Sequence, residues 1–326
     1  MTRKANNSLL IKAKKNRSDE FYTQLSDIER ELQHYRIHFK GKIVYCNCDD
    51  PFHSNFFKYF VSNFKELGLK KVIAACYKER TQDLFNDGVN ERGYFLEYTG
   101  LESDLNQRNV TYFNGDGDFR NAENIQLLQQ VDIVVTNPPF SLFREYIAQL
   151  VKYNKQFLII GNINAITYQD VFKLIKENKV WLGFNLGRGI SGFIVPDHYE
   201  LYGTETKIDN NGFKIISPNN CLWLTNMDTE KRHENIPLVK QYHTDIDFYP
   251  CYDNYNGINI NKTKDIPLDY DGHMGVPITF LHKFNPDQFE IIKFRKGDDG
   301  KDLSINGKCP YFRIIIRHKQ FTAIRS

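Results

Sequence analysis

The sequence predicts an α/β fold in which a parallel sheet carries helices on both faces. Short apolar segments rich in β-branched residues alternate with amphipathic segments over about the first 180 residues. Several of the apolar segments end abruptly in polar residues. After about residue 228 the alternation is lost, and Pro, Tyr and Asn become frequent. The sequence therefore predicts a sheet domain followed by a region of different organisation.

The first half of the chain contains most of the elements that define the sheet. Apolar positions recur at helical spacing from Leu25 to Tyr35, and Ser54 and Gly68 are suited to begin and end a second helix. Residues 78–109 are polar and predict a surface excursion with an extra hairpin or loop. The predicted strands are 42–51, 70–77, 110–119, 131–135 and 156–163, and the predicted helices are 25–35, 54–69, 121–130, 142–154 and 168–178.

The segments after residue 179 indicate a change of organisation. "VWLGF", "GFIVP" and "NNCLWLTNM" predict strands that close the sheet with an antiparallel hairpin. We therefore expect three parts, which are an arm at 1–17, a sheet domain at 18–228 and a mixed region at 229–326.

Composition limits the classes of protein to which the chain can belong. It has 326 residues, 41% hydrophobic and 25% charged, which is typical of globular proteins. The net charge of +3 is weak for a non-specific nucleic-acid binder. Both ends are basic, and each is either a solvated tail or a contact to phosphates. The basic residues are in "RIIIRHKQFTAIRS" at the C-terminal end and at Arg3, Lys4, Lys12, Lys14, Lys15 and Arg17.

The cysteines and the hydropathy are evidence about where in the cell the protein is located. The six cysteines form no pair of CxxC motifs at zinc spacing, so we predict no metal site and no metal requirement. Free thiols are the default for an intracellular protein. The sequence opens without a signal peptide and has no run of 18 apolar residues. These features predict a cytoplasmic protein with no membrane partner.

Three strand ends are candidates for one ligand site. "CNCDDP" follows the first predicted strand, "NGDGDF" the third and "TNPPF" the fourth. Ligands of open α/β sheets bind outside the carboxyl ends of the strands. We therefore expect these polar segments to share one edge of the sheet.

The segment "TNPPF" has residues suited to hold a planar amine. Pro138 and Pro139 lack N–H groups and have fixed φ angles, so we expect a stiff backbone whose carbonyls are not absorbed into a helical turn. The Asn137 side-chain oxygen and the Pro138 carbonyl then form two adjacent acceptors, and Phe140 adds a face for stacking. This combination predicts a site for an amino-bearing ring such as adenine.

Two acceptors on an aromatic amine explain how methyl transfer would proceed. The nitrogen is a poor nucleophile because its lone pair is delocalised into the ring. Bonds to both hydrogens favour a more tetrahedral nitrogen, which can attack a methyl group on a sulfonium in line. Positioning and fixed dipoles make the main contribution.

Each motif also has a purely structural interpretation. Asn-Pro-Pro can simply end a strand and begin a turn. Asp49 and Asp50 can be an acidic pair before a helix, and "GDGDF" is a common turn sequence. The glycines in "NLGRGISGF" do not follow the dinucleotide-binding order, and we interpret them as a loop in which Arg188 meets a phosphate.

Longer stretches resemble a known family. "NPPF" resembles the catalytic motif of amino-methyltransferases that use S-adenosylmethionine, and "DEFYTQ" resembles the upstream motif of the N6-adenine DNA enzymes. Nearly the whole chain resembles the EcoRI family of adenine-specific DNA methyltransferases. The matching stretches are Ser18–Gln24, Ile43–Pro51, Gly115–Arg120, Asp132–Tyr146, His198–Glu205, Ile216–Asn226 and Ile305–Ile314.

The resemblance implies a fold, a cofactor and site residues. It implies a Rossmann-like S-adenosylmethionine-dependent methyltransferase sheet at 18–228 and a target-recognition region at 229–326. The implied catalytic residues around a flipped adenine are Asn137, Pro138, Pro139 and Phe140. The implied residues around S-adenosyl-L-methionine are Phe21, Tyr22, Thr23, Cys46, Asn47, Cys48, Asp49, Asp118 and Phe119.

Two departures from the family pattern affect the cofactor residues. The first loop of such enzymes is usually rich in glycine, and "CNCDDP" has none. The acid that usually binds the ribose would fall near Cys76, where there is no carboxylate, and Glu79 is three residues late. The ribose partner is therefore left open.

The resemblance also implies a DNA substrate. It implies that the enzyme modifies the second adenine of GAATTC in double-stranded DNA, within a restriction–modification system. Because each strand needs its own methylation event, we expect a monomer that acts on hemimethylated sites. A paired adenine must first be extruded from the duplex. The cations we expect to meet phosphates are Lys262, Lys264, Lys283, Lys293, Arg295, Lys296 and Lys301.

Two other functions remain open at this point. An RNA-base or protein-glutamine methyltransferase can share the Asn-Pro-Pro-aromatic motif, although those enzymes more often have Tyr at the position of Phe140. A non-catalytic DNA-binding or scaffold protein is the third possibility, and the intact "NPPF" argues against it.

Overall fold

The computed structural model describes residues 22–77, 92–106, 109–185, 190–195, 206–209, 212–217 and 220–320. The α-helices are α1 (Leu25–Leu32), α2 (Arg36–Phe39), α3 (Asn55–Ser62), α4 (Phe64–Leu67), α5 (Ala122–Gln130), α6 (Phe143–Lys152) and α7 (Gln169–Lys176). The predicted basic arm, Phe21, Glu79, Arg188 and the stretch 198–205 lie outside the described residues.

The described strands are short, and many have five residues or fewer. They are β1 (Tyr22–Thr23), β2 (Ile43–Cys46), β3 (Lys71–Cys76), β4 (Tyr94–Tyr98), β5 (Thr111–Tyr112), β6 (Ile133–Thr136), β7 (Gln156–Asn162), β8 (Trp181–Leu182), β9 (Phe193–Val195), β10 (Thr206–Ile208), β11 (Lys214–Ile216), β12 (Cys221–Thr225), β13 (Cys251–Tyr252), β14 (Tyr255–Asn259), β15 (Met274–Pro277), β16 (Phe289–Phe294) and β17 (Arg313–His318).

The chain divides into two compact units. The first comprises residues 1–167 and 183–227, and the second comprises residues 168–182 and 228–326. Helix α7 and strand β8 thus group with the C-terminal residues. Along the described parts of the chain, no helix is long and apolar enough to cross a membrane.

The first unit is built on a mixed sheet with strands in the order β5, β4, β3, β2, β6, β7 and β12. The four central strands β3, β2, β6 and β7 are parallel to one another. The prediction of a parallel sheet is correct for these four and wrong for the flanks, where β4 runs antiparallel to β3 and β12 antiparallel to β7. Strands β3 and β4 therefore pair antiparallel, a geometry that needs no helical crossover.

The predicted third strand at 110–119 is the largest error in the strand assignment. Only Thr111–Tyr112 is extended, and it pairs antiparallel with β4 at the edge of the sheet. Gly117 has φ +83°, which ends any extended run. The predicted hairpin within 78–109 corresponds to β4 at Tyr94–Tyr98.

The apolar strands form the centre of the first unit. Residues Ile133–Val135 of β6 and Phe157–Ile160 of β7 are fully buried, as expected for parallel strands covered on both faces. The predicted helix at 54–69 is two helices that meet at Asn63, whose side-chain Nδ2 donates to the Tyr59 carbonyl at 2.8 Å. The predicted start at Ser54 is confirmed, because its Oγ accepts the N–H groups of α3's first turn.

The predicted hairpin after residue 179 forms only in part. Strand β12 closes the main sheet beside β7, with Trp223 fully buried. Strand β9 instead joins a separate antiparallel sheet in the order β1, β9, β11 and β10. The residues after "DEF" thus pair with "GFIV", since Tyr22 lies opposite Ile194. Side-chain alternation did not indicate this pairing, because the partners are about 170 residues apart.

The second unit contains a five-stranded sheet in the order β13, β14, β15, β17 and β16. Strands β14 and β15 are parallel, and the other neighbouring pairs are antiparallel. Helix α7 packs on β16, where Phe172 stacks on Phe294 at 4.9 Å. The region that seemed irregular in sequence therefore has an ordered core of its own.

Candidate active site

The loop after β2 is bonded to the residue that precedes the "NPPF" segment. The Asp49 carboxylate accepts a hydrogen bond from the Thr136 hydroxyl and another from Ser54 Oγ at 2.8 Å. The Asp49 main-chain N–H donates to the carbonyl of Ala75 on β3 at 3.0 Å. One buried residue therefore connects the ends of β2, β3 and β6, through its carboxylate to Thr136 and through its main-chain N–H to Ala75.

A second bond joins the same loop to the helix after "NPPF". The side-chain oxygen of the buried Asn47 accepts from the hydroxyl of Tyr146 on α6, which is fully buried. Asn47 and Asp49 are two residues apart and both bond to elements that flank residues 137–142. The "CNCDDP" and "TNPPF" segments are thus neighbours, as the sequence predicted.

Burial raises the pKa values of three side chains in this loop. It raises the pKa of the Asp49 carboxyl to about 6, although the bonds from Thr136 and Ser54 act in the opposite direction. Burial also raises the pKa of both Cys46 and Cys48 well above the usual value for a thiol. Both thiols stay protonated at neutral pH and are not poised as nucleophiles.

Cys46 does not line an open surface. Its side chain is fully buried in the hydrophobic core of the first unit. Cys48 is partly buried. The resemblance places Cys46 beside a cofactor, but the whole residue, main chain included, has no exposed surface in this structure.

A close approach of two glycines places the "GDGDF" loop at the end of β3. A Cβ on Gly93 would lie 2.5 Å from the Cα of Gly117, and one on Gly117 would lie 2.7 Å from the Cys76 carbonyl oxygen. Asn124 on α5 donates to the Gly117 carbonyl at 2.8 Å and accepts from the Tyr45 hydroxyl on β2. Tertiary packing therefore brings this loop to the edge even though no parallel third strand leads into it.

Asp118 and Phe119 already have partners inside the protein. Both Asp118 oxygens accept from the Arg120 side chain, at 2.9 and 2.6 Å. Burial opposes ionisation of Asp118, but the bonds from Arg120 outweigh it and lower the pKa of the carboxyl. The Phe119 ring is buried and meets Tyr146 edge-on at 5.0 Å.

The "NPPF" residues leave β6 in an extended conformation and then turn. Asn137 is partly buried, and its Oδ1 atom lies below the surface. Pro139 is extended at φ −56° and ψ 120°. The expectation that no carbonyl of the segment enters a helical turn is wrong for Pro139, which accepts from the Leu142 N–H at 3.0 Å. A 3₁₀ turn at Phe140–Leu142 begins there.

The Pro138 carbonyl, unlike that of Pro139, stays out of the turn, and its predicted role as an acceptor for an amine stays a prediction. Among the residues that the structure describes, no main-chain N–H donates to it. The Phe140 ring lies edge-to-face with Phe193 of β9, at 6.2 Å and 68°. The stacking face predicted for Phe140 is therefore bordered by the small sheet.

The upstream motif reaches the edge through β1. Asn55, the first residue of α3, donates from its side chain to the Thr23 carbonyl at 2.8 Å. The Tyr22 and His53 rings lie 6.3 Å apart. Tyr22 and Thr23 thus lie beside the loop after β2, while Phe21 is outside the described residues.

Sequence reasoning missed several residues that hold the site together. Tyr146, Thr136 and Ser54 supply the bonds to Asn47 and Asp49. Ser54 was predicted only as the start of a helix, and nothing in the sequence marked any of the three as a partner of this loop. Asp50 was named only as one of an acidic pair, yet its Oδ2 lies 3.6 Å from the Sγ of Cys76. It also accepts from the Tyr94 hydroxyl at 2.8 Å. A carboxylate of the neighbouring loop thus lies near the end of β3, where the sequence of β3 itself has none.

Two buried acids of α1 hold the segment that leads into β9. Glu31 accepts the main-chain N–H groups of Phe184 and Asn185 at 2.6 and 3.0 Å. Asp27 accepts the N–H and hydroxyl of Ser191 at 2.7 and 2.9 Å. The two carboxylates are one helical turn apart, so they fix both ends of residues 184–191. We call this pair the α1 clamp.

Asp27→Asn is expected to weaken the α1 clamp and lower the free energy of unfolding by about 1–2 kcal/mol, because it removes a charged acceptor from the Ser191 N–H. Urea denaturation measures the loss. Glu29→Gln, an exposed change on the same helix, is the control and should have little effect. Equal stability of the two variants would contradict the clamp.

The side chains that commonly bind metals are dispersed in the part of the chain that the structure describes. Within those ranges, His, Cys, Asp and Glu side chains do not gather in groups of three or more that could hold an ion.

The sequence of this chain is similar to those of known proteins over nearly its full length. The family model described as "Adenine-specific methyltransferase EcoRI" matches residues 9–319. The chain is 65% identical to the Type II methyltransferase M.EcoRI of Escherichia coli over 323 residues, which cover 98% of this chain and 99% of that protein. The comparison with solved structures found no match.

Two mycoplasma proteins are more distant relatives. The chain is 37% identical to the Type II methyltransferase M.MgeORF184P of Mycoplasma genitalium and 36% identical to M.MpnI of Mycoplasma pneumoniae. Each alignment covers 95% of this chain and 98% of the relative.

Proposed function

This chain belongs to the EcoRI family of adenine-specific methyltransferases, and from that membership we propose its full reaction. It is a DNA adenine methyltransferase of a restriction–modification system. The proposed reaction transfers the methyl group of S-adenosyl-L-methionine directly to N6 of the second adenine in GAATTC, after that base has left the duplex.

One observation supports this site above all others. The loops after the adjacent parallel strands β2 and β6 are joined at one edge by the bonds from Thr136 to Asp49 and from Tyr146 to Asn47. Ligands of open α/β sheets bind at this kind of edge. We assign the sheet to the Rossmann-like S-adenosylmethionine-dependent class on this basis, with catalysis in residues 18–228.

The side chains at this edge fit S-adenosylmethionine by their chemistry. Asp118 supplies a carboxylate for an amine, and its oxygens retain acceptor capacity beside Arg120 because a carboxylate offers about four lone-pair sites. Phe119 supplies an apolar ring, and Asp50 a carboxylate near the end of β3 for ribose hydroxyls. Phe21, Tyr22, Thr23 and the 46–49 loop are assigned to the methionine end. When bound, the cofactor supplies an electrophilic methyl group.

The "NPPF" residues orient the base. Asn137 Oδ1 and the Pro138 carbonyl accept one hydrogen each from the adenine amine, Pro139 holds the turn, and Phe140 contacts the ring. An acceptor that lies below the surface is reached only by a base that has left the stack. These fixed dipoles favour a tetrahedral nitrogen without a covalent enzyme intermediate.

The C-terminal residues 229–326 are proposed to recognise the DNA target. Asn, Gln and Arg side chains read base edges, and cations meet phosphates. We propose a monomer, because each strand of the site needs a separate methylation event. Its DNA substrate would place it in the bacterial cytoplasm on the nucleoid. The RNA-base and protein-glutamine alternatives are not favoured, because the family description is adenine-specific.

Methyl transfer from labelled S-adenosylmethionine tests the proposal. Purified protein is incubated with a GAATTC duplex, with the same duplex already methylated at the second adenine of both strands, with RNA and with a protein acceptor. Label only in the unmethylated duplex, together with resistance to cleavage at GAATTC, is expected. Label in RNA or protein alone would overturn it.

A further inference from the structure

The arginines of the second unit are not all neutralised within the protein. Three of the four described ones pair with carboxylates, and each of these pairs lies within 3.2 Å. The pairs are Arg232 with Asp228, Arg295 with Asp302 and Arg317 with Glu290. The fourth, Arg313, has no carboxylate partner among the described residues.

Arg313 is nevertheless a buried residue, with 8% of its surface exposed. Its Nε donates to Asn259 Oδ1 at 2.9 Å, and its Nη1 donates to the Tyr311 carbonyl at 2.6 Å. Its Nη2 makes a long contact of 3.4 Å with Asn261 Oδ1. A side-chain hydrogen bond also links Arg313 to the Tyr252 hydroxyl. All of these partners are neutral, so no described residue compensates the positive charge.

Two of the residues that accept hydrogen bonds from Arg313 are themselves exposed. Asn259 is held by the Tyr252 hydroxyl at 2.9 Å, which fixes the inner acceptor. Asn261 is exposed, and Tyr311 is 74% exposed. Burial lowers the pKa of the guanidinium, but arginine remains protonated in proteins.

Physical chemistry makes an anion the expected occupant. Buried charges are normally paired, because an unpaired ion in the interior is strongly destabilising. A guanidinium offers a rigid fork that suits the oxygens of a phosphate. The lysines and arginine predicted to meet phosphates are less suitable where they are already paired, as Lys293, Arg295 and Lys296 are with Asp298 and Asp302.

We propose that Arg313 and Asn261 bind a backbone phosphate of the DNA substrate. Arg313 supplies the positive charge, and the side-chain amide of Asn261 supplies a donor at the surface. This site rests on the proposed function. It contributes to affinity without reading sequence, because phosphates are the same at every base pair.

The sharpest test is Asn261→Asp, which puts a carboxylate where the amide oxygen already meets Arg313. The new ion pair should maintain or raise resistance to urea, while affinity for DNA falls by about tenfold at low salt. The slope of log affinity against log salt concentration should fall by about one. Asn256→Asp adds the same charge at an exposed position of β14 and should leave the slope unchanged.

Arg313→Gln gives an independent measurement. Affinity should fall equally for a GAATTC duplex and an unrelated duplex, again with the slope lowered by about one. Arg317→Gln, on the same strand and already paired with Glu290, is its control. If Arg313→Gln does not fold, the surface variant Asn261→Asp decides the question.

Two results would overturn the phosphate site. One is an Asn261→Asp protein that binds DNA like Asn256→Asp, and the other is a loss confined to GAATTC duplexes, which would indicate base contact. Methylation by the unmodified protein distinguishes a failure of the phosphate site from a failure of the proposed function. If it methylates GAATTC and Asn261→Asp behaves as its control, the phosphate site alone is wrong. If the unmodified protein methylates no DNA, the proposed function is wrong, and the phosphate site, which rests on it, is wrong as well.

Discussion

Asn137→Ala is expected to reduce the rate of methyl transfer by about 10²–10³-fold while S-adenosylmethionine binding survives. The substitution removes one of the two acceptors aimed at the adenine amine, and a single preorganised group of this kind contributes about that factor. Pro138 still supplies the other acceptor, so residual activity should be measurable. Single-turnover kinetics with enzyme in excess measures the chemical step, and calorimetry measures cofactor affinity.

Asn164→Ala is the matched control, because Asn164 is an exposed asparagine just beyond the end of the next parallel strand, β7. It should retain near-normal turnover. If Asn137→Ala instead lost cofactor binding and kept normal turnover in the complex that remains, the assignment of Asn137 to the adenine would be wrong.

Asp49→Asn is expected to change how stability depends on pH. The pKa of Asp49 is raised to about 6 from 3.8, so the folded state binds its proton more tightly than the unfolded state. The resulting stabilisation is fully present below about pH 4 and is lost as the pH rises through about 6. The shift of roughly two units corresponds to about 3 kcal/mol.

Asparagine removes the titration and keeps the shape of the side chain. The unfolding free energy of Asp49→Asn, relative to the unmodified protein, should therefore rise by about 3 kcal/mol between pH 4 and pH 8. Urea denaturation at several pH values measures the difference. Asp132→Asn alters an exposed aspartate beside β6 and should show no such trend. A pH-independent difference for Asp49→Asn would contradict the raised pKa.

Local sequence was sufficient for the buried strands and for the residues that follow them. Continuous apolar runs identified β2, β3, β6 and β7, because strands covered on both faces need apolar side chains at every position. The Asn-Pro-Pro step marked the end of β6, since proline cannot continue a strand or helix there. The cap at Ser54 was also a local feature.

Partners distant in the chain were not predictable in this way. The antiparallel course of β4, the pairing of β1 with β9 and the α1 clamp each join segments that are far apart in sequence. The Asn47–Tyr146 and Asp49–Thr136 bonds span 99 and 87 residues. A hydroxyl or amide gives no periodic signal, so its partner is visible only after the chain has folded.

The sequence by itself determined which strand ends carry polar side chains and which family the chain resembles, because both depend on residues adjacent in the chain. Tertiary structure decided which carboxylates accept hydrogen bonds from other side chains of the protein. Asp49 and Asp118 are each held by protein partners, and Arg313 has only neutral ones. Whether a charge is compensated depends on what packs around it, and packing joins residues that no local pattern connects.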